Sequence, residues 1–354
     1  MSIVELARPE IQALHPYNAA EQVDDTVRLN ANESPEASNV GRFRRPLNRY
    51  PEVRPKRLQH ELARRFGCAP DELLVTRGSS EAIDLIIRTF CRAGVDDIVT
   101  HAPSFSMYRH YARVQGASVS EVQTSAEQDF RIDVEALLAE CGPTTRLVFV
   151  CSPNNPTGTL LPVADLEELL RGRSESSAIV VDEAYIEFAG VPSVTALLER
   201  HANLLVLRTL SKALGFAGAR CGAVIGRSEV IGMLNAVQAP YALATPVVEC
   251  VEDALRNTAA AAASVDRIVT ERERLNRQIS GFDFVTKVWP SAANFLLVEF
   301  EDAAAVMRHC EGRKILLRHF GGDLAQCLRI SVGSTAENDR LLQALETFPE
   351  AGNG

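Results

Sequence analysis

"SAIVVDEAY", residues 177–185, decides how this chain folds. Residues 178–181 form an apolar run of strand length that ends in two carboxylates, Asp182 and Glu183. A strand with one face in water alternates apolar and polar residues; a nearly continuous apolar run must be covered on both faces. The runs "ELLVTRG" (72–78), "DDIVTHAP" (96–103), "TRLVFVCS" (145–152), "NLLVLRTLS" (203–211) and "RCGAVIG" (220–226) read the same way. Helix-period segments lie between them: Ile83, Ile86, Ile87 and Phe90 repeat at i, i+3, i+4, i+7 directly after "TRGSSE". Strands alternating with helices predict an α/β fold, a large domain with a mainly parallel sheet covered by helices.

The pattern changes after Pro246. Residues 247–279 hold neither Gly nor Pro and many strong helix formers, which predicts one long helix. The strand candidates "ANFLLVEF" (293–300) and "CLRISVG" (327–333) follow, with helical pieces around them, and suggest a smaller α+β domain. The first 45 residues are rich in loop signals, with prolines at 9, 16 and 35. The expected organisation is an N-terminal arm (1–45), a large domain (46–245) and a small C-terminal domain (246–354). At 354 residues the chain is long enough for two domains.

Composition narrows the partners. With 46% hydrophobic and 23% charged residues the chain is of ordinary globular make-up. A net charge of −9 argues against nucleic acid, whose phosphates require a basic face. The eight cysteines are scattered, without a Cys-x-x-Cys pair or a Cys/His grouping at metal-ligand spacing. They read as reduced thiols of a cytoplasmic protein. No membrane association is expected, because no apolar stretch of about 18 residues exists, and the N-terminus lacks the pattern of a signal peptide.

In an open α/β sheet ligands collect beyond the C-terminal ends of the strands, so polar residues there are the candidates. Gly78, Ser79 and Ser80 end one strand and open a helix, a place suited to an anion, although a plain helix cap accounts for them equally well. "CSPNNPTG" (151–158) is ordinary turn chemistry by itself. Asp182, at a strand tip, needs a partner if buried: a metal ion, as in an ATPase, or a protonated ring nitrogen. No G-x-x-x-x-G-K-[ST] phosphate loop, G-x-G-x-x-G or G-x-S-x-G is present; Gly215, Gly218 and Gly222 have the wrong spacing. Lys212, between an apolar run and a glycine-rich stretch, is followed by Arg220. A lysine amine for an aldehyde, a carboxylate for a pyridinium nitrogen and an anion site for a phosphate are the needs of pyridoxal 5'-phosphate.

With these segments in this order, the chain resembles the fold-type I pyridoxal-phosphate aminotransferases, and among them the histidinol-phosphate branch. The resemblance runs nearly end to end: "HPY" (15–17), "LNANESP" (29–35), "RYPE" (49–52), "RGSSEAIDLIIRTF" (77–90), "CSPNNPTG", "VVDEAYIEF" (180–188), "RTLSKALGFAGAR" (208–220) and "CLRISVG". It implies that Lys212 bonds the cofactor aldehyde and moves the substrate proton, and that Asp182 meets the ring nitrogen. It further implies that Asn155 and Tyr185 bind the phenolic oxygen, and that Phe105, often tyrosine in the family, stacks on the ring. Arg220, Ser211 and Thr209, with the amides at Ser79 and Ser80, are implied at the phosphate, and Tyr50 at the phosphate of a neighbouring subunit, hence a homodimer. Arg329, helped by Arg318, Tyr17 and Asn32, is implied at the substrate. The implied reaction is amino transfer from L-histidinol phosphate to 2-oxoglutarate. An aromatic aminotransferase or a threonine-phosphate decarboxylase on the same scaffold is the alternative, and a non-catalytic regulatory module is disfavoured by the shortness of the N-terminal arm.

Overall fold

The computed structural model describes residues 3–16, 43–256 and 258–349. Its larger sheet contains β1 (Leu73–Thr76), β2 (Asp97–Ala102), β3 (Ser118–Gln123), β4 (Thr145–Cys151), β5 (Ala178–Asp182), β6 (Leu204–Thr209) and β7 (Gly222–Ile225). Their order is β1-β7-β6-β5-β4-β2-β3. The pairs among β2, β3, β4, β5 and β6 are parallel, whereas β7 runs antiparallel to both β1 and β6.

The continuous apolar runs serve two cores at once. Val148, Val150, Ile179 and Val181 belong to one cluster, with Leu58 and Leu62 of the helix Lys56–Phe66. Their neighbours Leu147, Phe149, Ala178 and Val180 belong to the cluster on the other face, with Ile83, Ile86, Ile87 and Phe90 of the helix Ser79–Phe90. Successive side chains of a strand point to opposite faces, and burying each large aliphatic one contributes about 1.5–3 kcal/mol. The sheet therefore has no solvent face along its centre.

The predicted helix over 247–279 is instead two, Thr245–Leu255 and Thr258–Ile279. Val248, Val251 and Leu255 of the first pack in the large sheet's core, beside Leu58 and Leu62. Leu275 and Ile279 of the second pack in the smaller unit. The two apolar faces serve different cores, which helix propensity alone does not register. The smaller sheet comprises β8 (Val285–Val288), β9 (Phe295–Phe300), β10 (Arg318–His319) and β11 (Cys327–Ser331), all antiparallel, in the order β10-β11-β9-β8. The helices Ala303–Gly312 and Thr335–Glu346 join Thr258–Ile279 around its core. A further cluster joins the two units: Ala184, Tyr185, Phe188 and Ala213 of the large one meet Ala293 and Phe295 of the small one. That contact brings β11 to the end of the large sheet. Among the described residues no helix is long and apolar enough to cross a membrane.

Candidate active site

β1, β2, β4, β5 and β6 all end at one edge of the large sheet, and β7, running the other way, starts there. Residues just after five strands and just before a sixth thus converge on a cavity of about 770 Å³, with Ser79, Phe105, Asn155, Asp182, Lys212 and Arg220 in its wall. The antiparallel β7, unforeseen in the sequence, is what returns Arg220 to this edge.

One end of the cavity suits an anion. The helix Ser79–Phe90 starts at Gly78 without a side-chain cap, so its first amides are free to donate to a ligand. Glu81 turns back instead to the Arg77 backbone N–H (2.6 Å) and Nε (3.0 Å). Gly78 has φ +77°, and a Cβ there would lie 2.8 Å from Arg220 Nη2. Only glycine lets the guanidinium approach this closely. Arg220 Nη1 donates to Ser211 Oγ (3.4 Å) and Ala217 O (3.1 Å). Thr209 Oγ1 donates to Ser211 Oγ (3.0 Å) and accepts from the Ser211 N–H (3.1 Å), which orients that serine.

The middle of the cavity is built around Asp182, which is buried at the tip of β5. Its Oδ1 accepts from the Ala184 N–H (3.1 Å) and its Oδ2 from the Tyr108 hydroxyl (2.9 Å). Burial pushes its pKa up to about 6, against the pull of those two donors and of Lys212. Asn155 Nδ2 donates to the Tyr185 hydroxyl (3.3 Å), whose own proton is held more tightly because the ring is buried. The Lys212 side chain is reached by solvent through the cavity mouth, and its Nζ lies 5.6 Å from the centroid of the Tyr185 ring. Desolvation by the walls lowers its pKa first, then Arg329 and Arg220, with Asp182 opposing. Of the two cations, Arg329 has the larger effect. The turn carrying Asp182 and Tyr185 is fastened to β6 from behind. Buried Arg208 pairs with Glu187 (2.7 Å) and Glu183 (3.5 Å) and lies 4.5 Å over the Phe66 ring. Glu183 also accepts from the Val194 N–H (2.8 Å).

The other end carries two guanidiniums. Arg318 and Arg329 are cross-strand partners on β10 and β11, and both line the cavity. Arg329 lies over the rings of Phe295 (5.4 Å) and Phe320 (5.9 Å) and donates from Nη1 to Asn155 Oδ1. Its buried Nε has no partner. No ion pair joins either arginine to a carboxylate among the described residues.

The structure thus gathers Ser79, Ser80, Phe105, Asn155, Asp182, Tyr185, Thr209, Ser211, Lys212, Arg220, Arg318 and Arg329 around one cavity, with Gly78 at its rim. Tyr50 does not line it; that ring is half exposed and stacks on Tyr241 at 4.7 Å. Tyr17 and Asn32 lie outside the described residues. Sequence reasoning missed Tyr108, which reads locally as a buried residue at the start of a helix. Among the described residues no cluster of His, Cys, Asp and Glu could hold a metal ion, so nothing favours the metal partner considered for Asp182.

The aminotransferase class I and II family model matches residues 22–345, and the chain belongs to that family. Histidinol-phosphate aminotransferase of Stenotrophomonas maltophilia is 40% identical over 97% of this chain and 96% of its own length. Among solved structures, histidinol-phosphate aminotransferase from Sinorhizobium meliloti in complex with pyridoxal 5'-phosphate is 26% identical, covers 86% of this chain and 84% of its own, and superposes with a TM-score of 0.77. L-threonine-O-3-phosphate decarboxylase from Porphyromonas gingivalis, 23% identical over 85% of this chain and 91% of its own with a TM-score of 0.72, shares the fold. The chain is an aminotransferase of the fold-type I architecture, with pyridoxal phosphate as its cofactor. The residues present fit that group: an uncapped helix start and Arg220 for its phosphate, a desolvated amine for its aldehyde, and a buried carboxylate for its ring nitrogen.

Proposed function

We propose that this chain transfers the amino group of L-histidinol phosphate to 2-oxoglutarate, giving imidazole-acetol phosphate and glutamate. The observation that carries the reading is the pair Arg318 and Arg329, side by side and without a carboxylate partner at the substrate end. Histidinol phosphate brings a phosphate to that end, and 2-oxoglutarate and glutamate bring a carboxylate. A planar guanidinium offers two parallel N–H donors to either. The relatives at about 40% identity carry the same activity in their names.

Bound in the cavity, pyridoxal phosphate supplies a conjugated ring that takes up the electron pair left at the substrate's Cα. The chain's residues do the rest. Lys212, with its lowered pKa, would hold the aldehyde and, once the substrate's amine has taken its place there, would accept and return the proton. Asp182 would keep the ring nitrogen protonated, Asn155 and Tyr185 would orient the phenolic oxygen, and Phe105 would cover one ring face. Gly78, Ser79, Ser80, Thr209, Ser211 and Arg220 anchor the phosphate. Arg329 and Arg318, with Tyr17 and Asn32, fix the substrate.

The test is single-turnover reaction of the yellow, cofactor-loaded protein with histidinol phosphate, phenylalanine, tyrosine and threonine phosphate. Histidinol phosphate should discharge the colour at least ~100-fold faster per unit concentration than the other three, since a site complementary to one substrate leaves its own polar groups unpaired with an analogue of different side chain. Equal reaction with phenylalanine makes the protein an aromatic aminotransferase, and carbon dioxide from threonine phosphate makes it a decarboxylase.

We also propose a cytoplasmic homodimer in which Tyr50 reaches the phosphate of the neighbouring subunit. The exposure of Tyr50 outside its own cavity supports the dimer, and eight unpaired cysteines support the compartment. Tyr50→Phe should leave the fold intact and weaken cofactor binding by roughly tenfold or more, as expected for one hydrogen bond to a charged acceptor. Ultracentrifugation with cofactor titration checks both points, and a monomer that keeps its cofactor excludes the shared site.

A further inference from the structure

Tyr108 is fully buried near the start of the helix Met107–Gln115, and two aromatic contacts fix its ring. It stacks on Phe149 of β4 (4.8 Å between centroids, 18° between planes) and stands edge-on to Phe105 (5.7 Å, 83°). Its hydroxyl donates to Oδ2 of Asp182 at 2.9 Å. An ionised carboxylate only accepts, so with Asp182 charged this phenol must be the donor. Such a charge-assisted bond is about twice as strong as a neutral one. The other oxygen, Oδ1, accepts from the Ala184 N–H, so the plane of the carboxylate is held at both ends.

We propose that Tyr108 is a positioning residue for ring-nitrogen recognition: its hydroxyl fixes the plane of Asp182 and keeps the carboxylate charged, so that an anionic oxygen meets the protonated nitrogen of the cofactor. This rests on the reading that Asp182 faces that nitrogen. The other groups facing Asp182 do not substitute for Tyr108. The Cys151 thiol at the end of β4 is held neutral by burial, and Tyr185 also keeps its proton. Lys212, after β6, is the one cation among the groups acting on Asp182, and its amine is committed to the aldehyde. Burial pushes Asp182 toward protonation, and the Tyr108 hydroxyl is the strongest force against it. Without the hydroxyl, the cofactor-free carboxyl takes up its proton at higher pH. In the loaded enzyme the carboxylate without its donor is the stronger base, draws the ring N–H proton toward itself, and leaves the nitrogen unprotonated for more of the time.

Tyr108→Phe keeps both ring contacts and removes only the donor. The experiment reloads wild type and Tyr108→Phe with pyridoxal phosphate carrying ¹⁵N in the ring and follows the nitrogen shift against pH. At neutral pH the nitrogen shift of the variant should move toward the unprotonated value, the balance between ring nitrogen and carboxyl changing by about tenfold in favour of the carboxyl, or about one pH unit of relative proton affinity. Superimposable titrations of two well-folded proteins overturn the proposal and leave Tyr108 a core residue. If the wild-type nitrogen is itself unprotonated at neutral pH, the placement of Asp182 at that nitrogen fails first, which separates the two failures. A second measurement needs no variant: infrared spectra of wild type with ¹³C-ring-labelled tyrosine, before and after cofactor loading. A donating phenol buried beside a carboxylate should persist in both states, and its loss on loading also overturns the proposal.

Discussion

Lys212→Ala is expected to hold the cofactor and to lose amino transfer almost entirely. Gly78, Ser211 and Arg220, the proposed phosphate anchor, and the carboxylate of Asp182 are untouched by the change, so a pyridoxal phosphate complex should still form. What disappears is the only lysine amine in the cavity wall, together with the proton carrier it provides. Loss of one positioned acid/base costs roughly 10²–10⁴-fold, and retention of more than about a tenth of the rate would mean that another residue carries the proton. The covalent link gives a readout independent of rate. Borohydride should fix the cofactor to the wild-type peptide containing Lys212 and leave the variant unlabelled. The pH dependence has a definite sign. Only the neutral amine attacks an aldehyde, and the walls, Arg329 and Arg220 lower the Lys212 pKa. Cofactor capture by wild type should therefore continue to lower pH than an ordinary lysine allows, and fall away as pH drops through the lowered pKa.

Most strands were legible because burial on both faces writes itself into composition: β4, β5 and β6 are apolar at nearly every position. β3 was not, because it is an edge strand with partly exposed side chains, and "SVSEVQ" carries no continuous apolar run. The antiparallel direction of β7 was also hidden, since Gly222–Ile225 is buried like its parallel neighbours and a four-residue run does not record which way it points. The division into Thr245–Leu255 and Thr258–Ile279 escaped because both helices are rich in helix formers and differ in the core each one faces. The residues that line the cavity were readable as motifs at strand ends. Its supports were not: Tyr108 and Arg208 act on Asp182 and on its turn from elements distant in sequence, and each residue alone looks like core. Pairings of that kind are made by the fold, and the local pattern holds no trace of them.

Arg329 separates charge from shape, and two substitutions there should give different results. Arg329→Ala removes a half-buried guanidinium that donates to Asn155 Oδ1 and lines the cavity at its proposed substrate end. Removing one partner of a desolvated charge pair costs about 2–5 kcal/mol, or roughly 30- to 4,000-fold in kcat/KM. Both half-reactions should suffer, since histidinol phosphate and glutamate present their anions to the same fork. Arg329→Lys keeps a cation and loses the two parallel donors, so the loss should be smaller, about 1.5–3 kcal/mol. The pH profile distinguishes them further. Arg329 is, after desolvation, the strongest influence lowering the Lys212 pKa. In Arg329→Ala that repulsion is gone, the amine holds its proton to higher pH, and cofactor capture should shift upward in pH. Arg329→Lys keeps a positive charge at a position that now lies over the Phe295 and Phe320 rings, and the capture profile should stay near wild type while kcat/KM falls. Stopped-flow absorbance of the loaded protein across pH measures both quantities in one series. An Arg329→Ala protein with unchanged kcat/KM for histidinol phosphate and for glutamate would place the substrate anion elsewhere in the cavity, with Arg318 as the next residue to replace.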